Sequence, residues 1–294
     1  MSEAEAAAVI ALLRAPGSSV RHLPDQLETQ GSAIALLQDS GGVNLGPPRL
    51  FNDEDHVQQR LELAAADLAR WAGEGIEVLT VLDREYPDNL RAVHDRPPMI
   101  FVAGKLTQQD DRSVAVIGAR RASAAGLAAA SMIAEHLVSN GYTVVSGLAA
   151  GIDAAAHTAA LTAKGRTVAV IGTGLQRCYP PQNRALQQQI ARDGAVISQF
   201  WPDAEPSQHS FPARNAVMSG ISRATVIVEA SVKSGARAQA RMALNHGRPV
   251  FVRETLLEQA WARELAARPG TSVFSAPDEI TSRLKRLESG ALVA

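Results

Sequence analysis

A doubly wound α/β fold with a mostly parallel sheet, preceded by a small N-terminal helical domain, is what this sequence predicts. Three observations carry that prediction. From Ser113 onward, short β-rich runs alternate with helical stretches, the mark of repeated βαβ units. Several of those runs are apolar at successive positions, as expected when helices cover both faces of a parallel sheet. Before about Gly73, Ala-rich and Leu-rich segments repeat apolar residues at helical spacing.

The helical part, residues 1–75, contains candidate helices at 3–13 and 55–71. Turn signals separate them at Ala15-Pro16-Gly17, Ser40-Gly41-Gly42 and Gly46-Pro47-Pro48. Residues 76–110 read as a connecting segment with short strands at 78–82 and 99–102, flanking Tyr86-Pro87 and Arg96-Pro97-Pro98. The Rossmann-like domain, 111–288, has strand candidates at 114–117, 143–146, 167–171, 195–198, 224–229 and 249–252. No internal repeat or low-complexity tract is visible.

Of the 294 residues, 46% are hydrophobic and 20% charged, enough apolar material for a sizeable core and no sign of global disorder. The net charge of −1 gives no long-range attraction for phosphate, so binding to nucleic acid has to come from a local cationic patch. Cys178 is the single cysteine, which excludes an internal disulfide or a cysteine zinc cluster and fits the reducing cytoplasm. The N-terminus, with Glu3 and Glu5 among alanines, does not read as a signal peptide, and charges or glycines interrupt every apolar run. Neither export nor a membrane partner is expected.

Ligands of open parallel sheets bind beyond the carboxyl ends of the strands, so the residues after each run matter most. These are Gly118-Ala119-Arg120-Arg121, Gly147, Gly172-Thr173-Gly174, Gln199, and Ala230 to Gly235 with Lys233 and Ser234. Small residues let an anion reach backbone N–H groups, and the arginines and Lys233 supply charge. Arg214, Arg223, Arg237 and Arg241 follow in the last third. No third glycine follows Gly172-Thr173-Gly174 and Lys164-Gly165-Arg166 lacks the Gly-Lys-Ser/Thr ending, so neither a dinucleotide fingerprint nor a P-loop is present. Asp153 and His157, one helical turn apart, suit an acid/base pair, but a capping Asp with a His packed beneath it is the simpler reading. No metal-ligand motif accompanies them and no His partner marks Cys178, so neither metal nor cofactor is expected.

The succession Ile117-Gly118-Ala119-Arg120, Ser146-Gly147-Leu148-Ala149-Ala150-Gly151-Ile152-Asp153, Ala156-His157 and 168–174 resembles the DprA/Smf (DNA-processing protein A) family. Tyr179-Pro180-Pro181-Gln182-Asn183, Phe211-Pro212-Ala213-Arg214-Asn215, Val228-Glu229-Ala230 and Ser234-Gly235 continue the match in the same order, and the lead-in at 79–105 is similar too. The resemblance covers about two thirds of the chain. It implies an extended Rossmann fold after a small helical domain, binding of single-stranded DNA, delivery of the recombinase RecA, a homodimer, and a part in natural transformation. It also implies a binding pocket made by Gly118, Arg120, Ser146, Gly147, Gly172, Gly174, Arg214, Asn215, Ser234 and Gly235. Arg121, Lys233 and Arg237 add cations, and Tyr179, Phe200, Trp201 and Phe211 are candidates either for base stacking or for ordinary packing.

The chain departs from the family pattern at the rim. Ala150 stands where an arginine is usual, Gln199 replaces an acidic residue, and Ala216 replaces the second arginine of Arg-Asn-Arg. The threonine expected after Ser-Gly is lost within Arg237-Ala238-Gln239, and Arg253-Glu254-Thr255 with a helical stretch replaces the usual Pro-Gly segment. A sequence ending at Ala294 leaves no room for the winged-helix domain of some members. Two other functions compete with the DNA-binding, non-enzymatic one. One is a nucleotide or nucleoside-phosphate enzyme or sensor, resembling phosphoribohydrolases, although Glu229 precedes Ser234-Gly235 where their catalytic glutamate follows. The other is a divergent scaffold that has lost DNA binding.

Overall fold

The computed structural model describes residues 2–15, 20–41, 53–232 and 234–290. The turn signals at Pro16-Gly17, Gly42 and Gly46-Pro47-Pro48, and Lys233, lie outside these residues. Four helices come first: α1 (Glu3–Leu13), α2 (Leu23–Gln30), α3 (Ala33–Gly41) and α4 (Asp53–Gly73). Then follow β1 (Ile76–Thr80), the one-turn α5 (Asp88–Arg91), β2 (Met99–Gly104), β3 (Ser113–Gly118), α6 (Ala124–Ser139), β4 (Thr143–Ser146), α7 (Ile152–Thr162) and β5 (Thr167–Val170). The remainder is α8 (Arg184–Asp193), β6 (Ala195–Ser198), α9 (Ser210–Ile221), β7 (Ala224–Glu229), α10 (Ala236–Asn245), β8 (Val250–Arg253), α11 (Ala260–Ala266), β9 (Thr271–Phe274) and α12 (Pro277–Glu288).

The nine strands form one sheet in the order β1-β2-β6-β5-β4-β3-β7-β8-β9. Strands β3 to β9 pair in parallel, whereas β2 runs antiparallel to β6, and β1 antiparallel to β2. Winding starts at β3, proceeds to β6 in one direction, and resumes at β7 on the other side of β3. That reversal makes β3/β7 the topological switch point.

The pleat of β3 explains its unbroken apolar run, because Val114 and Val116 enter one core cluster while Ala115 and Ile117 enter the other. Helices α6, α7 and α12 cover the first face, and α9 and α10 lie with the N-terminal helices on the second. Residues 76–110 do carry short strands, but they extend the sheet rather than only linking two parts. Strand β2 pairs with β1 on one edge and β6 on the other, and Ile100, Phe101 and Val102 are fully buried because layers cover both faces of the sheet there. Trp71 of α4 meets Phe101 edge to face with centroids 5.2 Å apart, so the helical layer shares the sheet's core. Strand β9 had no counterpart in the sequence reading, since it is a half-exposed edge strand without an apolar run. Among the described residues, no helix is long and apolar enough to cross a membrane.

Candidate functional site

A cleft of about 990 Å³ opens at the switch point, and Gly118, Arg120, Arg121, Arg214, Asn215, Ser234 and Gly235 line it. Its floor is built by close backbone approach. A Cβ on Gly118 would fall 2.6 Å from both Glu229 O and Ile152 Cγ1, so only glycine fits between β7 and α7. Ala119 N–H donates to Glu229 O (2.7 Å), and Ile152 N–H to Ala119 O (3.2 Å). Gly151, at φ +80°, turns the chain so closely past this loop that a Cβ would meet Ala119 O at 2.3 Å. Clamped in this way, the loop presents Arg120 and Arg121 to solvent, with the Arg120 guanidinium 5.1 Å from the Phe211 ring centroid.

Glu229, unremarked as a site residue in the sequence, ends β7 at the same cleft. Its carboxylate accepts from Ser123 N–H (2.9 Å) and the Ser123 hydroxyl (2.5 Å). Ser123 in turn caps α6 through Gly126 N–H (3.0 Å), and a Cβ on Gly126 would lie 2.1 Å from Glu229 Oε2. An internal carboxylate therefore occupies the α6 N-terminus, where an anionic ligand of this fold would otherwise sit. Gln259 also lines the cleft, donating to Ala230 O (2.8 Å) and accepting from Trp261 Nε1–H (2.6 Å). No local pattern marks it in the sequence.

Around β4 and β5 the charged groups are buried. Arg214 of α9 donates through Nη1 to Gly147 O and to Val170 O (2.8 Å), and through Nε to Asn215 Oδ1 (3.0 Å). Its Nη2 has no hydrogen-bond partner among the described residues. Burial pulls the Arg214 guanidinium below its ordinary range, an effect the Asp153 charge opposes. Burial likewise pushes the Asp153 carboxyl up, against the pull of Arg214. Asp153 accepts from Gly147 N–H (3.2 Å) and Ala149 N–H (3.3 Å), so it pins the loop entering α7 instead of capping the helix itself. His157 lies beneath, with Nδ1 2.7 Å from Thr167 Oγ1. That hydroxyl donates to Val144 O (2.7 Å), so Nδ1 carries the hydrogen, and burial pushes the His157 pKa down to about 3. The pair is structural.

Gly147 and Gly172 line an adjoining cavity of about 200 Å³ with Ala150, Tyr179 and Phe211. The Phe211 and Tyr179 rings lie 5.6 Å apart, and Tyr179 is 43% exposed. Phe200 and Trp201 line neither space, and Trp201 packs on Trp71 and Phe101. Three other expected residues stand back from the cleft. Ser146 spends its hydroxyl on Val116 O (2.6 Å), Gly174 is buried against the Trp201 and Pro202 carbonyls, and Arg237 donates to Val232 O (2.8 Å) across the Trp261 ring. Gln239, buried in α10, fits with its amide donating to Asn215 O (2.9 Å) and accepting from Ser219 N–H (3.2 Å). Burial pushes the Cys178 thiol up, and it donates to Pro180 O (3.3 Å).

Comparison with known proteins identifies relatives of this arrangement. The family model described as DNA recombination-mediator protein A matches residues 77–285. Protein Smf of Synechocystis is 41% identical over 179 residues, covering 60% of this chain and 45% of its own. DNA processing protein DprA of Bacillus subtilis is 34% identical over 185 residues, 63% of this chain and 62% of its own. The chain thus spans about half to three-fifths of the length of these curated relatives. The X-ray structure of DprA from Streptococcus pneumoniae matches with a TM-score of 0.75 at 27% identity, covering 96% of this chain and 98% of that one. DprA from Helicobacter pylori, in a structure concerned with its single-stranded DNA binding mode, matches with a TM-score of 0.64 at 28% identity, covering 72% and 96%. The family match takes in the switch point, both of its walls and essentially the whole sheet, and this chain belongs to the DNA recombination-mediator protein A family.

Proposed function

We propose that this chain binds single-stranded DNA in the switch-point cleft and acts in the cytoplasm as a homodimer that helps load a RecA-type recombinase onto that DNA. The observation that carries the reading is the pairing of two exposed arginines, Arg120 and Arg121, with the Phe211 and Tyr179 rings at one cleft mouth. Cations that follow a phosphate backbone beside rings that accept any base are what sequence-tolerant single-strand binding requires. Gly118, Asn215, Ser234 and Gly235 complete the contact surface. Gly147, Gly172 and Arg214 shape its floor, and Ser146, Gly174 and Arg237 hold the scaffold. The H. pylori relative and its single-stranded DNA binding mode support the same class of ligand. Binding rather than catalysis is favoured because the acid and base candidates are engaged: Asp153 on backbone N–H groups, His157 on Thr167, and Glu229 on Ser123.

The test is fluorescence anisotropy of a labelled single-stranded oligonucleotide over a salt series, with duplex and mononucleotide competitors. Binding is expected to weaken as salt rises, by about 0.7 in log K per log salt for each phosphate neutralised. Arg120→Ala with Arg121→Ala should lower affinity at least ~10-fold and reduce the slope by about 1.4. A folded protein that binds no oligonucleotide at low salt would sink the reading.

A further inference from the structure

His94, Asp95 and His246 converge where the segment after α5 meets the end of α10, and none of them lines the cleft. Their ligand atoms all lie within 4.8 Å of one another. The His246 side chain, at the C-cap of α10, is 1% exposed, whereas His94 and Asp95 stand at the surface. His246 Nε2 is 2.7 Å from Asp95 Oδ1, and the two imidazoles meet edge to face with centroids 5.5 Å apart.

The far side of the His246 ring is equally defined. Nδ1 lies 2.7 Å from the Oγ of Ser219, a fully buried residue of α9 whose hydroxyl also reaches Ala216 O at 3.2 Å. A hydroxyl has one hydrogen to give. Directed to Ala216 O, it leaves Oγ to accept from Nδ1–H, and Nε2 then faces the Asp95 carboxylate. At 2.7 Å that contact is a hydrogen bond, so a hydrogen on Nε2 fills it in the metal-free protein and is released when a metal ion binds. A buried histidine with one nitrogen held by an outer partner and the other beside a carboxylate and a second imidazole is how proteins orient metal ligands.

We infer that His94, Asp95 and His246 form a site for one first-row divalent metal ion of the zinc class. Two imidazoles and one carboxylate are a donor set that suits Zn²⁺, with a fourth position left to water. Donor atoms of a tetrahedral zinc sit about 3.3 Å apart, so the donors have to adjust by up to ~1.5 Å. Exposed His94 makes no hydrogen bond among the described residues and is free to close. The bound ion braces the segment after α5 against α9 and α10. Those two helices begin at the cleft, where they carry Arg214, Asn215 and Ala236. The ligands belong to segments about 150 residues apart with no motif to join them, which is why the sequence raises no expectation of a metal here.

The test uses the full chain, freed of metal with a chelator and titrated with Zn²⁺ by calorimetry and with Co²⁺ by visible absorption. One Zn²⁺ per chain, a rise in Tm on binding, and the intense visible bands of four-coordinate Co²⁺ are expected. His94→Ala and Asp95→Asn alter exposed residues and should keep the metal-free Tm while weakening Zn²⁺ binding about 100-fold, and Ser219→Ala should cost roughly 10–100-fold. His246→Ala empties a buried position, so the two surface variants decide the matter. Absence of stoichiometric binding, or binding that His94→Ala and Asp95→Asn leave unchanged, overturns the assignment.

Discussion

The carboxyl rim of the sheet uses the same side-chain types in two places to opposite ends. At β3 and β7, Arg120 and Arg121 project into solvent. At β4 and β5, Arg214 is 6% exposed and its guanidinium is spent largely on the carbonyls of Gly147 and Val170. The acids differ less: Glu229 holds Ser123, and Asp153 holds the N–H groups of Gly147 and Ala149. Burial decides the role of the cations, because a buried charge needs partners on every side whereas an exposed one is solvated and keeps its donors for a ligand. One end of the rim is exposed to solvent, and the other is the foundation that holds it in register.

Arg214→Ala breaks this comparison most severely if the foundation reading is wrong. Removing the guanidinium leaves Asp153 buried without its counter-charge and takes one donor from each of two carbonyls, so a loss of about 3–5 kcal/mol is expected in urea unfolding. A loss below ~1 kcal/mol would place Arg214 with the surface cations instead. The second effect comes from His157, whose folded pKa of about 3 lies below its ordinary 6.5. The unfolded chain takes up a proton below pH 6.5 while the folded one does not until near pH 3. The stability contributed is therefore full above pH 6.5 and falls as the pH drops between those values. By pH 5 the decline attributable to this group is ~2 kcal/mol, and His157→Gln should remove that part of the pH dependence. The smallest effect belongs to Arg120→Ala, for which a change within about 0.5 kcal/mol of wild-type stability is expected in the same unfolding experiment. A larger loss would show that the exposed end of the rim also carries structure.

Strands β3 to β8 were legible because they are short and apolar on both faces, and glycines at or just after the ends of β3, β4 and β5 mark the rim, a local signal that survives without knowledge of pairing. Three of these strands differ from the predicted bounds by a residue at one or both ends: β3 (Ser113–Gly118) against 114–117, β5 (Thr167–Val170) against 167–171 and β8 (Val250–Arg253) against 249–252. The antiparallel extension β1-β2 was legible as strands but not as part of the sheet, since its pairing with β6 joins residues about 95 apart. At the site, the rim positions of Gly118, Arg120 and Arg121 follow from their place after the first strand. That Arg214 reaches beneath Gly147 does not follow, because the contact spans 67 residues and depends on how α9 crosses the sheet. Ser146 carried the same rim signal as Gly147, yet it is buried with its hydroxyl on a neighbouring strand.

Under the proposed function, the Glu229 carboxylate would give the cleft a selectivity that no cation in it supplies. Tethered to β7, it is present at the α6 N-terminus at an effective concentration on the order of mM or above, and a free nucleotide has to displace it to place a phosphate there. A polymer does not face that contest, since many phosphates along one strand can settle on the remaining cations and leave this position alone. Under the proposed function, Glu229 is a resident competitor against small phosphorylated molecules, a means of ignoring the monomers of the strand that the cleft would bind.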